Sequence, residues 1–85
     1  MMKIKGNEVL WLSDKGNVAI TYSQFDFGVK HKVLRKVKYA MENGKHNEVW
    51  TFINAFVAYG EALSYAKKMN DCIVYRWGGW TDGKI

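Results

Sequence analysis

Residues 29–41 read VKHKVLRKVKYAM, and the dipeptide Asn43-Gly44 follows them closely. In this stretch the odd-numbered positions are mostly apolar, whereas four of the even-numbered positions are lysines. Such alternation is typical of a β-strand with one buried face, although the same apolar residues also line one side of a helix that Asn43-Gly44 would cap. We favour the strand, because β-branched and aromatic residues dominate the apolar positions and Asn-Gly is a strong hairpin signal.

The predicted hairpin also determines which side chains lie opposite one another. Folding the chain about the Asn-Gly turn brings residues 49–53 (VWTFI) back along the first strand. In that register Val37 lies opposite Trp50, and the lysines lie opposite the intervening residues. The aromatic side chains of the returning strand, Trp50 and Phe52, therefore join Val37 on the apolar face, away from the lysines.

The rest of the chain adds an earlier hairpin, one helix and a final strand. Residues 9–12 and 18–22 are β-prone and flank a polar turn. Asn54 is a candidate N-cap for a helix that runs to about residue 69, with apolar residues at helical spacing. Residues 72–77 form the last strand. We therefore predict an α+β fold in which a small antiparallel sheet of hairpins, with about four to five strands, packs against one helix in the order β-β-β-β-α-β.

Composition bounds both the fold and the function. The 85 residues are 48% hydrophobic and 15% aromatic, which favours one folded domain over residues 1–85. No apolar run approaches the length of a membrane helix and no signal peptide opens the chain, so we expect a soluble, cytoplasmic protein. The lone Cys72 excludes an internal disulfide, and no metal or cofactor is predicted. Burial in so short a chain barely exceeds the cost of ordering it, so we expect a homodimer or another homo-oligomer.

The positive charge is concentrated in the middle of the chain. Thirteen Lys and Arg residues against eight Asp and Glu residues give a net charge of +5 at pH 7. Residues 1–28 and 47–85 are each neutral, whereas residues 29–46 hold one acidic residue, Glu42, and six basic ones. These six are Lys30, Lys32, Arg35, Lys36, Lys38 and Lys45. Their concentration favours a binding surface for a polyanion over lysines that only keep the surface soluble.

A strand gives this basic segment a mechanism of binding. Consecutive even positions lie about 6.6 Å apart on one face, close to the phosphate repeat of an extended single strand. Lysines at these positions contact phosphates without reading sequence, and Leu34 between them meets ribose or a base. Arg35 falls on the apolar face unless a bulge turns it outward. We predict that the chain binds RNA or single-stranded nucleic acid, because no recognition helix for duplex DNA is evident. The candidate contact residues are Lys30, Lys32, Arg35, Lys36, Lys38, Lys45, Arg76 and Trp80.

The aromatic residues separate into core residues and candidate contact residues. Those within amphipathic elements are predicted to be core, namely Trp11, Trp50, Phe52, Phe56, Tyr59 and Tyr65. Trp77 and Trp80 flank Gly78-Gly79, and two large rings beside a flexible turn are harder to bury. They either stack on bases or, in an alternative that stays open, anchor a protein-interaction module whose basic stripe docks an acidic partner without nucleic acid.

No catalytic constellation is evident in the sequence. Glycine-rich phosphate-binding motifs are absent, and the spacing of Cys72, His31 and His46 matches no pattern of metal ligands. A two-histidine nuclease would need both histidines at one phosphate, but the hairpin separates them by roughly 33 Å. That distance holds only if residues 29–41 are a strand. We therefore predict that the protein is not an enzyme.

A short, proline-free chain that is rich in Lys and aromatic residues and begins Met1-Met2-Lys3-Ile4 resembles the small accessory proteins that lytic bacteriophages make against host defences. In size and charge it is similar to the phage inhibitors of the ToxN endoribonuclease of type III toxin–antitoxin systems. The resemblance implies an RNA-dependent association with a host toxin or defence nuclease in the host cytoplasm. It lies in the overall character of the chain rather than in a motif, so no functional residue is transferred from it.

Overall fold

A computed structural model describes residues 2–24, 28, 30–41 and 44–77. The fold is α+β, as predicted, with a six-stranded sheet and one helix. In chain order the elements are β1 (Lys3–Ile4), β2 (Asn7–Leu12), β3 (Val18–Tyr22), β4 (His31–Ala40), β5 (His46–Phe56), α1 (Tyr59–Lys67) and β6 (Val74–Trp77). The order adds only the short β1 to the predicted one. Within the described ranges, no helix is long and apolar enough to cross a membrane.

The central strand of the sheet is β4, which contains most of the basic segment. β5 pairs antiparallel with one edge of β4 along its whole length. The other edge is shared, because β3 pairs antiparallel with residues 31–35 and β6 pairs parallel with residues 37–40. β2 and β1 continue the sheet beyond β3. The parallel β6 departs from a sheet made only of hairpins, because it joins the sheet after α1 rather than through a tight turn.

Buried residues lie on both faces of β3 and of the first half of β4. The cluster on the helix side comprises Val18, Ile20, Val33, Ala62 and Ala66. The cluster on the opposite side comprises Ile4, Ala19 and Leu34. The small alanine side chains let α1 lie close to the sheet, and β1 covers the second cluster. On the lysine-bearing side of β4, Leu34 is therefore covered, whereas Lys32 beside it is only partly buried.

The helix begins later than the sequence pattern predicts. β5 continues to Phe56, and Asn54 lies within this strand, where its Oδ1 accepts the N–H of Ala55 at 2.8 Å. The residue before the helix is Ala58, which makes no side-chain capping bond. The prediction of Asn54 as the N-cap is wrong because Phe56 packs on the sheet side of the helix, with its ring centroid 5.3 Å from that of Tyr65. That contact keeps the chain extended for two residues beyond Asn54.

The register of the β4–β5 hairpin differs by one residue from the predicted one. Val37 pairs with Val49, and Lys36, rather than Val37, pairs with Trp50. The two strands close where the N–H of Met41 bonds the carbonyl of Lys45 at 2.8 Å, which leaves three residues between them. Gly44, the last of the three, has φ +81°, as three-residue hairpin loops require of their final residue. The Asn-Gly signal predicted the hairpin correctly, but not the length of its loop.

The turn between β2 and β3 is held by the segment that follows α1. Ser13 Oγ and the N–H of Lys15 each donate to a carboxylate oxygen of Asp71 at 2.7 Å. Ser13 Oγ in turn accepts the N–H groups of Asn17 at 3.1 Å and Val18 at 2.9 Å. Desolvation raises the pKa of Asp71, but these hydrogen bonds and the charge of Lys15 outweigh it, so the pKa lies below its ordinary value. This carboxylate thus connects two parts of the chain that are distant in sequence.

Candidate functional site

The lysines of β4 lie on one side of the sheet. Val33 and Val37 are 0% and 1% exposed on the helix side, so the even-numbered residues between and beside them face the other way. Lys36 and Lys38 lie in the second half of the strand, about 6.6 Å apart, and Lys32 lies roughly 13 Å from Lys36. The predicted alternation of β4 is therefore present, with three of the candidate lysines within the strand.

Aromatic residues of two neighbouring strands share this side with the lysines. The Nζ of Lys36 lies 5.2 Å from the ring centroid of Trp50, and that of Lys38 lies 6.0 Å from the ring centroid of Tyr75. In the observed register Phe52 pairs with Leu34, and the backbone of Trp77 is in register with Ala40, so both belong to the same face. We call this surface the aromatic–lysine face; it comprises Lys32, Lys36, Lys38, Trp50, Phe52, Tyr75 and Trp77.

Three of these rings are exposed to solvent. Phe52 is 53% exposed, Tyr75 is 69% exposed and Trp77 is 50% exposed. Trp50 is half-buried and packs against the cluster that contains Leu34. Large exposed rings at neighbouring positions of one face are typical of a binding surface, since a domain usually buries such side chains. The rings therefore give the face a stacking surface beside its charges.

In the strands that form the face, the described acidic residue beside the lysines is Glu48. Glu48 pairs with Lys38 across the hairpin, and its Oε1 lies 3.7 Å from the Nζ of Lys36. Both side chains are partly exposed, at 24% for Lys36 and 43% for Glu48, so this ion pair contributes little to stability. A polyanion can displace it at small cost. Among the residues that the structure describes, the face thus holds three lysines and this one carboxylate.

Arg35 does not join the aromatic–lysine face. Its Nη2 donates to the carbonyl of Asn70 at 2.7 Å and to that of Cys72 at 3.3 Å, on the helix side of the sheet. The sheet does contain a bulge beside Leu34, but the extra residue is in β5, so the alternation of β4 continues unbroken. Arg35 thus lies on the side of β4 that the alternation predicted, and its guanidinium anchors the loop after α1. Its contact with nucleic acid stays a prediction.

The remaining candidate residues lie around or outside the face. Arg76 is in register with Tyr39, an odd-numbered residue of β4, and so belongs to the helix side. Lys30 precedes β4 and Lys45 precedes β5, and both are exposed. Trp80 lies outside the residues that the structure describes. The face thus gathers only half of the six basic residues of the middle segment.

Three residues of the face, Trp50, Phe52 and Tyr75, were assigned differently or not at all from the sequence, since Trp50 and Phe52 were predicted to be core. Phe52 was predicted to be core, as was Tyr59, but both are exposed, at 53% and 36%. Leu34, predicted to meet a base, is only 4% exposed beneath β1, and Phe52 stands beside it instead. Tyr75 was not singled out. A hairpin with three residues in its loop would have predicted that Trp50 and Phe52 lie on the lysine side. Parallel pairing of β6 with β4 would have predicted the same for Tyr75.

The two histidines lie at opposite ends of β4. His31 opens the strand, where its Nδ1 lies 2.9 Å from the carbonyl oxygen of Val57, and His46 pairs with Ala40 at the other end. Nine residues of extended strand separate these positions, or roughly 30 Å. They do not meet at one phosphate. In the described part of the chain, no group of three or more side chains is arranged to hold a metal ion.

Comparison with protein-family models, with curated proteins and with solved structures finds no significant match to this chain. Any assignment of function therefore depends on the geometry and chemistry of the aromatic–lysine face.

Proposed function

We propose that this protein binds single-stranded nucleic acid, RNA in the first place, on the aromatic–lysine face. One observation carries the proposal. On one side of the sheet, the lysines of β4 are flanked by aromatic rings of β5 and of β6, three of which are exposed. Bases stack on aromatic side chains, and stacking contributes about 1–3 kcal/mol per base. Lysines beside the rings contact the phosphates between those bases.

The chemistry of the face favours unpaired bases with little sequence preference. Stacking needs bases that are splayed out of a helix, which single strands supply and duplexes do not. Lysine is a point charge that contacts phosphate without reading base edges, and the face carries no arginine or asparagine side chain in its strands. We therefore propose a binding protein that holds unpaired bases with little sequence preference.

The salt dependence of binding tests the proposal directly. A fluorescein-labelled oligouridylate is titrated with protein at several NaCl concentrations, and its anisotropy gives the dissociation constant. Three lysine–phosphate contacts on a single strand predict a slope of log K against log salt of about −2. A slope near zero would contradict the proposal.

Matched variants separate local contacts from net charge. The double substitution of Lys36→Gln with Lys38→Gln should make the slope shallower by about 1.4, because two contacts are lost. Lys67→Gln with Lys68→Gln removes the same charge from exposed positions at the end of α1 and should leave the slope unchanged. Equal effects of the two pairs would mean that only the net charge of the protein matters.

The aromatic half of the face has its own test. Tyr75→Ala should weaken binding by about 5- to 150-fold, since one stacked base is lost, and should leave the salt slope unchanged. Val57→Ala, which truncates another exposed side chain outside the face, is the control. The wild-type protein could fail to bind the oligonucleotide while Tyr75→Ala weakens its binding to an acidic protein. In that case the interaction-module alternative replaces the present proposal.

The resemblance to phage proteins that act against host defences suggests where such binding is used. It stays a prediction, since no comparison tests it. In that setting the RNA is one that a host toxin or defence nuclease also binds, and inhibition of the nuclease depends on RNA. Purification of the tagged protein from its native cell, with and without ribonuclease treatment, tests this: a nuclease partner that is retained after RNA digestion would contradict the RNA dependence.

A further inference from the structure

The outer edge of β5 is a long strand edge. β5 has eleven residues, and it pairs with β4 alone among the described residues. Its sequence, HNEVWTFINAF, contains one charged residue, Glu48, and neither lysine nor proline, two residues that natural proteins place on edge strands to prevent pairing. The strand thus offers its free backbone groups to another strand.

The hydrogen bonds of β4 show which residues of β5 present those groups. The N–H of Met41 bonds the carbonyl of Lys45, whereas the N–H of Lys36 bonds the carbonyl of Asn17, on the side away from β5. Odd-numbered residues of β4 therefore form the hydrogen-bonded pairs with β5. The even-numbered residues of β4 form the non-hydrogen-bonded pairs. In these pairs, the N–H and C=O of each residue point away from the other strand. Trp50, opposite Lys36, consequently points its N–H and C=O outward.

The same reasoning defines the length of the open edge. His46, Glu48 and Phe52 lie opposite even-numbered residues of β4, so they point outward together with Trp50. Beyond the bulge, Ala55 also points outward, but its N–H is taken by Asn54 Oδ1 at 2.8 Å. The open edge therefore spans residues 46–52.

We propose that a second copy of this chain pairs antiparallel with the open edge, about a two-fold axis at Val49. In this register Glu48 lies opposite Trp50 of the second copy, and His46 lies opposite Phe52 of the second copy. Every outward-pointing residue of the edge then meets another, so all of their N–H and C=O groups are paired. Charges do not oppose one another, since Glu48 faces an aromatic side chain. A register shifted by two residues towards the start of β5 would instead place the two Glu48 carboxylates opposite each other.

This dimer would deepen the proposed function, and that consequence rests on the proposed function. A two-fold axis normal to the sheet keeps both aromatic–lysine faces on the same side. Lys36 then stands in one row with Lys38 of the second copy, three strand spacings away, or about 14 Å. One single strand long enough to cross both copies would contact lysines of each, and its salt slope would be steeper than that of a short oligonucleotide.

Sedimentation velocity of the full chain without nucleic acid, over a wide range of protein concentration, tests the dimer. The expected result is a monomer–dimer equilibrium, and a monomer throughout would overturn the inference without affecting the proposed binding function. Glu48→Pro removes one outward N–H and leaves the ladder with β4 intact, so it should abolish dimerisation. Glu48→Ala keeps the N–H and should dimerise like the wild type.

Hydrogen exchange provides a second measurement that needs no variant. In the dimer, the amides of Glu48, Trp50 and Phe52 should be protected to a similar degree as those of Val49 and Thr51, which face β4. Rapid exchange of the outward amides in a sample shown to be dimeric would place the contact elsewhere and overturn the inference. The same conclusion would follow if Glu48→Pro folded and still dimerised.

Discussion

Arg35 and Lys36 are adjacent basic residues whose side chains lie on opposite sides of the sheet. Arg35 Nη2 bonds the carbonyls of Asn70 and Cys72 on the helix side, whereas Lys36 lies over Trp50 on the aromatic–lysine face. Substituting each by methionine removes one positive charge and keeps most of the side-chain length. We predict that Arg35→Met lowers stability and leaves binding unchanged. Lys36→Met should instead weaken binding and leave stability nearly unchanged.

The cost of Arg35→Met follows from its two hydrogen bonds. A hydrogen bond from a charged donor contributes about 1.5–3 kcal/mol, and the bond of 2.7 Å carries most of this while that of 3.3 Å adds little. Two effects reduce the loss: water can replace the donor at these exposed carbonyls, and the buried Nε, which has no partner, is removed. We expect a net loss of about 1–2 kcal/mol. In a domain of this size, that loss lowers the Tm by roughly 4–16 °C.

Thermal unfolding and oligonucleotide titration of both variants give the comparison. Lys36→Met loses only a surface ion pair and a cation–π contact, so its free energy of unfolding should change by less than about 1 kcal/mol. Its salt slope should become shallower by about 0.7, the contribution of one phosphate contact. If Arg35→Met kept its Tm and lost as much affinity as Lys36→Met, the assignment of the two residues to opposite faces would be refuted.

Three further predictions concern stability. Val37→Ala should lower the free energy of unfolding by about 2–3 kcal/mol, because Val37 is buried. Val57→Ala, at a position 66% exposed, should change it by less than about 0.5 kcal/mol. Urea titration measures both losses, and equal values would contradict the buried position of Val37. Asp71 has a lowered pKa in the folded state, so its stabilisation is present above the pH at which the unfolded residue titrates and is lost as the pH falls through the folded pKa. The difference in Tm between wild type and Asp71→Asn should therefore shrink on acidification, and a constant difference from pH 7 to below about pH 3 would argue against that contribution. Gly16→Ala should destabilise the protein by about 1 kcal/mol, because the φ angle of Gly16 is +77°. Gly60→Ala should stabilise it by up to about 0.5 kcal/mol, because Gly60 lies in α1 with open space around it. Calorimetry of the two variants should give Tm shifts of opposite sign.

Local patterns were sufficient for most of the elements. The alternation over residues 31–40 and the Asn-Gly signal predicted β4 and its hairpin, and β-branched residues predicted β3. β1 was missed because two residues carry no periodicity, although Ile4 is almost fully buried. The start of α1 was misplaced because Asn is a preferred N-cap and is uncommon in strands, whereas the packing of Phe56 against Tyr65 keeps the chain extended past Asn54.

The basic segment shows what charge counting can and cannot predict. The concentration of basic residues identified β4 as the candidate binding strand, and the alternation of its side chains predicted Lys36 and Lys38 on one side. Counting could not tell that Arg35 would be used as a structural anchor, because its partners are the backbone carbonyls of Asn70 and Cys72. Those contacts depend on where the chain returns after α1, which no local pattern specifies.

The composition of the face depends on one residue in the β4–β5 loop. With two residues between the strands, Trp50 and Phe52 would fall on the side of Val37, and the lysines would form a charged surface without rings. With three, both aromatic residues move to the side of Lys36, because side chains alternate with a period of two. A face of lysines alone would bind any polyanion, including an acidic protein, through charge. Rings placed among them favour flat, unstacked bases in addition, and this distinction is why the register, more than the net charge, supports single-stranded nucleic acid as the ligand.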